Sequence, residues 1–466
     1  MTPDPSRSAT TSINNVILPC RDSNTRWDIE VAHGSVKTIQ PCADNGPKSN
    51  IVPILLPALC HPHIHLDKPY ILTCNHTPTP AHPDYFDLAP SSGSFSEALL
   101  NTSRAKNRYT AEDLYLRGCQ LLATSYTQGV TSVRAFVELD HVTGSLALTT
   151  AIQLKREFSH IIEVQICAFA QDPIFSTMYG ERNRSIITSA LVEHGAWIGA
   201  LGTTPYVEAS REASEKNVEW AIATALEYVL HLDFHLDYNL ESWSYSTPLT
   251  FSVIELLQKH HWPTGPAAPT VMLGHCTQLT TLPKSDLSRL SVTILSTKLP
   301  VHFVGLPTSD LFMMGRPSDD QESSPYSRPR GTLQIPSMIK DLEFSACLGV
   351  NNVGNAFTPY GTGDPLQLAC FGVGVYQAGT PEDAKTLYSC VSWLARRAIG
   401  LRAQQDGDIA VGDEWQPMLR IENKPYITVE GKGGQPDLII PARQRLDFKD
   451  VVWDPPEVGL RSIVRG

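Results

Sequence analysis

No run of eighteen or so apolar residues occurs in the 466-residue chain, so nothing in it reads as a transmembrane helix. The opening "MTPDPSRSATTSINN" is polar and lacks the apolar core of a signal peptide. Ten scattered cysteines show no CxxC spacing, and with no export signal they are expected to stay reduced in a cytosolic protein. Basic runs are missing as well. A net charge of −11 argues against nucleic acid or an anionic membrane as a main partner. What remains is a chain with 42% hydrophobic residues, enough to fill a substantial core, which excludes global disorder. The length suits one large barrel with a small satellite domain.

Strand-like and helix-like signals alternate along the chain. Eight near-continuously apolar runs, "IVPILLPAL", "TSVRAFV", "EVQICAFA", "WIGALG", "HLDFHL", "TVMLGHC", "VHFVGLP" and "FSACLGV", read as parallel strands buried on both faces. Helix patterns with recognisable ends lie between several of them. Thr110 is the expected N-cap of "AEDLYLRGCQLLATSYTQG", which ends at Gly129. Ser214 is the expected cap of "EKNVEWAIATALEYVL", whose Val218, Ala221, Ile222, Ala225, Leu226 and Val229 form one apolar face. The pattern predicts an α/β fold, a (β/α)₈ TIM-like barrel over residues 57–404.

The flanks read differently. Residues 1–56 hold "INNVILPC" and "DIEVAHGSVKTIQP" around a turn at His33-Gly34, and residues 405–466 hold "QPDLIIP" and "LRSIVRG". Both ends are strand-rich, and together they are expected to form one small β-sandwich that neither could form alone. Two long turn-rich stretches, "NHTPTPAHPDYFDLAPSSGS" and "GRPSDDQESSPYSRPRG", follow strand ends and read as lids or disordered segments.

"LPALCHPHIHLDKPY" places three histidines within five positions. Residues i and i+2 of a strand point the same way, so His63 and His65 share a face and could hold one metal ion. An H-x-H pair also arises by chance among 15 histidines. His235 closes the fifth apolar run, however, and His275 closes the sixth. Four imidazoles at strand ends favour a metal-assisted site over core packing. Cys60 and Cys276, which flank these positions, read as buried packing. His61 reads as a rim residue and the Met313-Met314 pair as packing.

At these residues the chain resembles the amidohydrolase superfamily, in its cytosine deaminase-like branch. "LPALCHPHIHLDKPY" looks like the first-strand motif, which makes His63 and His65 metal ligands. "GVTSVRAFVELD" is similar to the second strand and retains Arg134, a residue that would bind an anionic group or structure a loop. "ICAFAQDPI" matches the third, where Gln171 would contact a ring amide or amidine of the substrate. "LDFHLDYNLES" makes His235 the third ligand, and "LGHCTQL" puts His275 near an attacking water. "LPTSDLFMMGR" and "YGTGDPLQLA" match later segments. The resemblance implies one divalent transition metal, zinc ahead of iron, and a small-molecule substrate; it leaves homo-oligomer formation open.

Two departures from the family pattern carry weight. The branch reads H-x-D-E after the fifth-strand histidine, with glutamate as proton shuttle; here Tyr238 stands in that position. The branch carries an aspartate pair after strand eight, a metal ligand and base followed by a substrate contact. Asn351 and Asn352 replace them. Tyrosine, with an ordinary pKa of about 10, is a hydrogen-bond donor near neutral pH, and asparagine accepts no proton. Losing two acid–base groups worth about 10²–10⁴-fold each cripples ordinary hydrolysis. His275 is the first replacement base, Asp237 a second if the strand runs on regularly, and Glu138 reads as a solvated loop carboxylate. Phe136 stands where the branch often carries histidine, implying a more apolar pocket and a larger, less polar substrate than a free pyrimidine.

Three functions compete on this basis. One is a hydrolase acting on a non-peptide C–N bond of a cyclic molecule. The second is a non-hydrolytic enzyme of specialised metabolism, a cyclase, isomerase or lyase, with Tyr238 as acid. The third, a binding protein without turnover, ranks last because the histidines and Gln171 are retained.

Overall fold

Strands that are apolar on both faces must be covered on both, and the chain meets that demand by wrapping its sheet around itself. The computed structural model describes residues 10–22, 24–42, 51–238, 240, 247–316 and 329–466. The barrel strands are β1 (Leu59–His65), β2 (Val130–Glu138), β3 (Glu163–Ala170), β4 (Ile198–Thr203), β5 (His231–Leu236), β6 (Val271–His275), β7 (Val301–Gly305) and β8 (Ala346–Leu348). They pair in sequence order as one parallel eight-stranded sheet. Closure comes just beyond β8, where Ile64 bridges Asn351. There the His65 amide donates to the Asn351 carbonyl and the Asn351 amide to that of His63, each at 3.0 Å.

Eight strands with intervening helices match the reading of the sequence, with one shift at the start. The apolar run at residues 51–59 is two strands. Ile54–Pro57 leaves the barrel and pairs with Met418–Ile421, which pairs in turn with Arg461–Val464, all antiparallel. The barrel strand begins only at Leu59. Both pieces are fully buried, so hydropathy gives no sign of the break.

The helix Ala111–Gln128 starts and stops as its sequence predicts. The Thr110 hydroxyl accepts from the Asp113 amide, and Gly129 ends the helix in the left-handed region, at φ 105°, where a side chain is disfavoured. The fifth-strand helix begins earlier than expected. It spans Arg211–Tyr228 under a Ser210 cap, and Ser214 lies inside it, donating to the Pro205 carbonyl at 2.8 Å. Val229 takes a left-handed conformation that turns its side chain out to solvent, while Val218, Ala221, Ile222 and Ala225 are buried.

Thr11–Val16, Trp27–Ala32 and Ser35–Pro41 form an antiparallel sheet, turning at His33 and Gly34, both with positive φ. Its apolar face (Ile13, Ile29, Val31, Val36) packs with Leu55, Ile409, Trp415 and Met418, so the two ends of the chain share one core. "QPDLIIP" takes no part in that core. Leu438–Pro441 pairs only with Tyr426–Val429 in an exposed hairpin. The stretch at 75–94 is a loop with one short 3₁₀ turn, Phe86–Leu88, leading into the helix Phe95–Lys106; the second turn-rich stretch falls largely outside the described residues. Among the described residues no helix is long and apolar enough to cross a membrane.

Candidate active site

The alternation of β1 brings His63 and His65 into the barrel, and β5 brings His235 to meet them. One ring nitrogen from each lies within 4.8 Å of the other two. The Nε2 atoms of His63 and His235 are 3.2 Å apart. All three residues are buried, and burial pushes their pKa values below the ordinary 6.5, so the rings are neutral. The Asp233 carboxylate, 3.4 Å from His63 Nδ1, pulls that histidine part of the way back. Nδ1 of His65 and of His235 are buried with no hydrogen-bond partner. Neutral imidazoles that bring one ring nitrogen each to a common point are the donor set a divalent transition ion requires.

His275 stands beside this triad, its ring centroid 5.3 Å from that of His235. Its Nδ1 lies 2.7 Å from Asp310 Oδ1, and the other Asp310 oxygen accepts from the Thr332 hydroxyl at 2.7 Å. Asp310 is fully buried. A carboxylate accepts but does not donate, so Nδ1 carries the proton and Nε2 is left as an acceptor. The Tyr238 ring sits edge-on to His275 at 5.0 Å. Asn351 and Asn352 are buried on the wall of the same cavity. The Asn351 side-chain oxygen has no hydrogen-bond donor, whereas that of Asn352 accepts from Asn355 at 2.8 Å. Gln171 lines the same cavity. Its oxygen accepts from Lys68 at 3.3 Å, and because an ammonium only donates, this contact assigns the amide's orientation. Phe95, Tyr206, Ser309, Met313 and Phe357 complete the lining, with Tyr206 stacked on Tyr238 at 5.6 Å. His275 and Asn351 have φ of 64° and 66°, a backbone cost of about 1–3 kcal/mol each that the packed barrel sustains.

Five residues go elsewhere than expected. Asp237, also with positive φ, breaks the strand alternation and turns its carboxylate away. It accepts from the amides of Leu249 and Thr250 and from the Thr250 hydroxyl, capping the helix Leu249–Lys259 rather than facing the cavity. Arg134 lies fully buried beneath the triad, donating to Asp233 at 3.0 Å and Gln165 at 2.6 Å; the structuring alternative fits it, and it does not line the cavity. Phe136 is under the histidines, 4.1 Å from the His63 ring, as a floor rather than a wall. Glu138 is no solvated loop residue. It is buried within β2, 2.6 Å from Lys106 and 3.4 Å from Lys68, and burial, against the pull of both ammonium groups, pushes its pKa up to about 7. His61 is likewise buried, beside the Ser125 hydroxyl, instead of at the rim. Cys60 and Cys276 are buried and unpaired with other cysteines, as expected of packing. Met313 packs but also lines the cavity.

Sequence reasoning missed Asp310, Phe95, Tyr206, Ser309 and Phe357. They sit on loops and helix starts far from the histidines in sequence, where no spacing rule links them. Asp310 alone carried a signal, as an acid within "LPTSDLFMMGR" just beyond the end of a barrel strand.

No family model matches the chain, and no curated protein does. Solved structures share its fold. A 5-methylcytosine deaminase from Klebsiella pneumoniae, liganded with phosphonocytosine, superimposes with a TM-score of 0.72 at 19% identity, over 95% of this chain and 94% of that one. An N-isopropylammelide isopropylaminohydrolase from Burkholderia multivorans gives 0.64 at 18% identity over 89% and 92%. An adenosine deaminase from Xanthomonas campestris with bound zinc gives 0.55 at 14% identity over 89% and 84%. The expected barrel architecture is therefore found in full-length counterparts.

Proposed function

We propose that the chain is a metal-dependent enzyme of the amidohydrolase type, cytosine deaminase-like, that acts on a C–N bond of a cyclic small molecule. The observation that carries this reading is the convergence of three buried, neutral imidazoles at the C-terminal end of the barrel, where barrels of this kind keep their active sites. The names of the fold neighbours support the same class of chemistry. His63, His65 and His235 would hold one divalent ion, zinc ahead of iron, with Asn351 as a neutral fourth group. Such an ion, when bound, acidifies water and polarises a carbonyl or amidine.

The chain's own residues then have separable tasks. His275, with Nδ1 directed at Asp310, receives a proton at Nε2. Gln171, its oxygen engaged by Lys68, offers its amide N–H groups to an acceptor on the substrate ring. Tyr238 supplies a hydroxyl donor, and Phe95, Tyr206 and Phe357 exclude water and stack on a planar substrate.

One observation favours the second reading, a non-hydrolytic enzyme with Tyr238 as acid. No carboxylate is among the described residues that line the cavity, so the proton shuttling of ordinary deamination has no obvious carrier except His275. Turnover in ¹⁸O-labelled water separates the two: label in the product supports hydrolysis, and unlabelled product supports the alternative. Undiminished activity in protein stripped of metal by a chelator would overturn the metal-dependent reading itself.

A further inference from the structure

A second cluster of metal-binding side chains lies away from the barrel axis, in the loop that follows β1. His76 and His82 stand on that loop, their ring centroids 5.1 Å apart. Asp113 stands in the first turn of the helix Ala111–Gln128. A ring nitrogen from each histidine and a carboxylate oxygen of Asp113 all lie within 4.8 Å of one another. The Asp113 carboxylate is fully buried. Its Oδ2 accepts from Arg117 Nε at 3.1 Å, Arg117 Nη2 at 2.8 Å and the Tyr85 hydroxyl at 2.8 Å. Its Oδ1 is buried with no donor at all, and so is Nδ1 of His82. A buried lone pair left without a donor is destabilising, and two such atoms in one cluster need a common explanation.

We infer that His76, His82 and Asp113 form a second, structural site for a divalent transition metal, zinc by the chemistry of its ligands. Two imidazoles and one carboxylate are a borderline-soft nitrogen and oxygen set, which suits Zn²⁺ with water as fourth ligand. Tetrahedral ligands of zinc sit about 3.4 Å apart at bond lengths of about 2.0–2.1 Å, and the three ligand atoms already lie within 4.8 Å of one another. Arg117 is the feature that opposes the site. Both of its contacts fall on Oδ2, which leaves the carboxylate's second oxygen for the ion, as a bridging carboxylate would arrange it.

The site pins the loop to the barrel. Between Cys74 and Leu88 the chain has no long element of its own, and it is held by the Tyr85–Asp113 contact, by Arg108 donating to the Asp84 carbonyl at 2.9 Å, and by a small core of Ile71, Tyr85, Leu88 and Ala105. The same loop leads into the helix that delivers Phe95 to the active-site cavity. Ordering the loop therefore orders one wall of the pocket.

Zinc stoichiometry and proteolysis of full-length protein test the inference together. A variant with His63→Asn, His65→Asn and His235→Asn lacks the barrel ligands and should still bind one zinc per chain. His76→Ala with His82→Ala, in the otherwise natural chain, should lose one equivalent relative to wild type. Phe86 in the loop is 85% exposed, so chymotrypsin should cut there, at least tenfold more slowly with zinc than without in wild type, and at a zinc-independent rate in the loop variant. No zinc bound by the barrel-stripped variant, together with a wild-type cleavage rate indifferent to zinc, overturns the inference. Cleavage is read on wild type, so a folding defect in the triple variant does not obscure the result. Failure of the barrel site alone would leave the loop site's stoichiometry and protection intact.

Discussion

Asn351→Asp returns a charge to the position where the chain carries an amide, and its effect can be worked out for both states of the protein. Asn351 is 3% exposed, its side-chain oxygen has no donor, and its backbone closes the barrel against β1. In metal-free protein the new carboxylate would be buried without a partner, so its pKa rises and stability falls by about 1–3 kcal/mol. With a dication in the triad the sign reverses. Charges of +2 and −1 about 4 Å apart attract by about 8 kcal/mol at an effective dielectric of about 20. Desolvation of the carboxylate removes several kcal/mol of that. A net gain of about 1.5–3 kcal/mol corresponds to zinc affinity higher by about 10–100-fold. Competition against a chromophoric chelator, in a His82→Ala background so that only the barrel site is counted, measures the affinity. Urea unfolding with and without zinc measures the crossover in stability. Zinc affinity within twofold of the parent would refute Asn351 as the fourth group of the site.

Tyr238→Phe keeps the ring packed on Tyr206 and removes only the hydroxyl, so turnover should fall by about 10²–10⁴-fold with an unchanged circular dichroism spectrum; full activity would reduce Tyr238 to a wall. Tyr238→Glu with Asn351→Asp should release ammonia from cytosine or simple cyclic amidines far faster than either single change, because such groups act as a unit. Efficient release by the natural chain would show that another residue already fills both roles. Lys106→Met leaves Glu138 and Asp140 buried without the ammonium that contacts both, and should cost about 3–5 kcal/mol in urea unfolding; an unmoved midpoint would contradict that pairing. Burial depresses the pKa of His302 to about 3, so the ring is neutral in the fold but protonates near 6.5 once unfolded. Its contribution is intact above pH 6.5 and lost as pH falls toward 3, at about 1.4 kcal/mol per unit, and His302→Gln should flatten the acid limb of the stability curve by that slope.

The fold was legible because its signals are local. An apolar run bounded by caps needs only its own residues to be recognised, and each of the eight runs contains or adjoins a barrel strand. The break between Ile54–Pro57 and β1 was not legible, since burial on both sides makes two strands look like one. At the site, His63, His65, His235 and His275 were readable from their places at strand ends. Asp237 was misjudged because i+2 alternation holds only while the strand lasts, and the strand ends at Leu236. Glu138 was misjudged for a related reason: its partners, Lys68 and Lys106, come from elsewhere in the chain, and a carboxylate's neighbours cannot be read from its own segment. Asp310 meets His275 through two separate strand ends, so only the closed barrel brings them together.

The bridge between Ile64 and Asn351 has a consequence during synthesis. It joins the first strand of the barrel to the segment just beyond the last, a contact of very long sequence separation whose loop-closure cost must be met late. Ribosomes extend a chain by about 5–20 residues per second, so β1, with His63 and His65, waits for tens of seconds before Asn351 emerges. During that interval His63 and His65 form at most half of a ligand set, and β1 offers an open edge to other nascent strands. The residue that closes the sheet is also one that lines the cavity. A chain truncated before it would therefore lack both the closing contact of the sheet and one wall of the cavity.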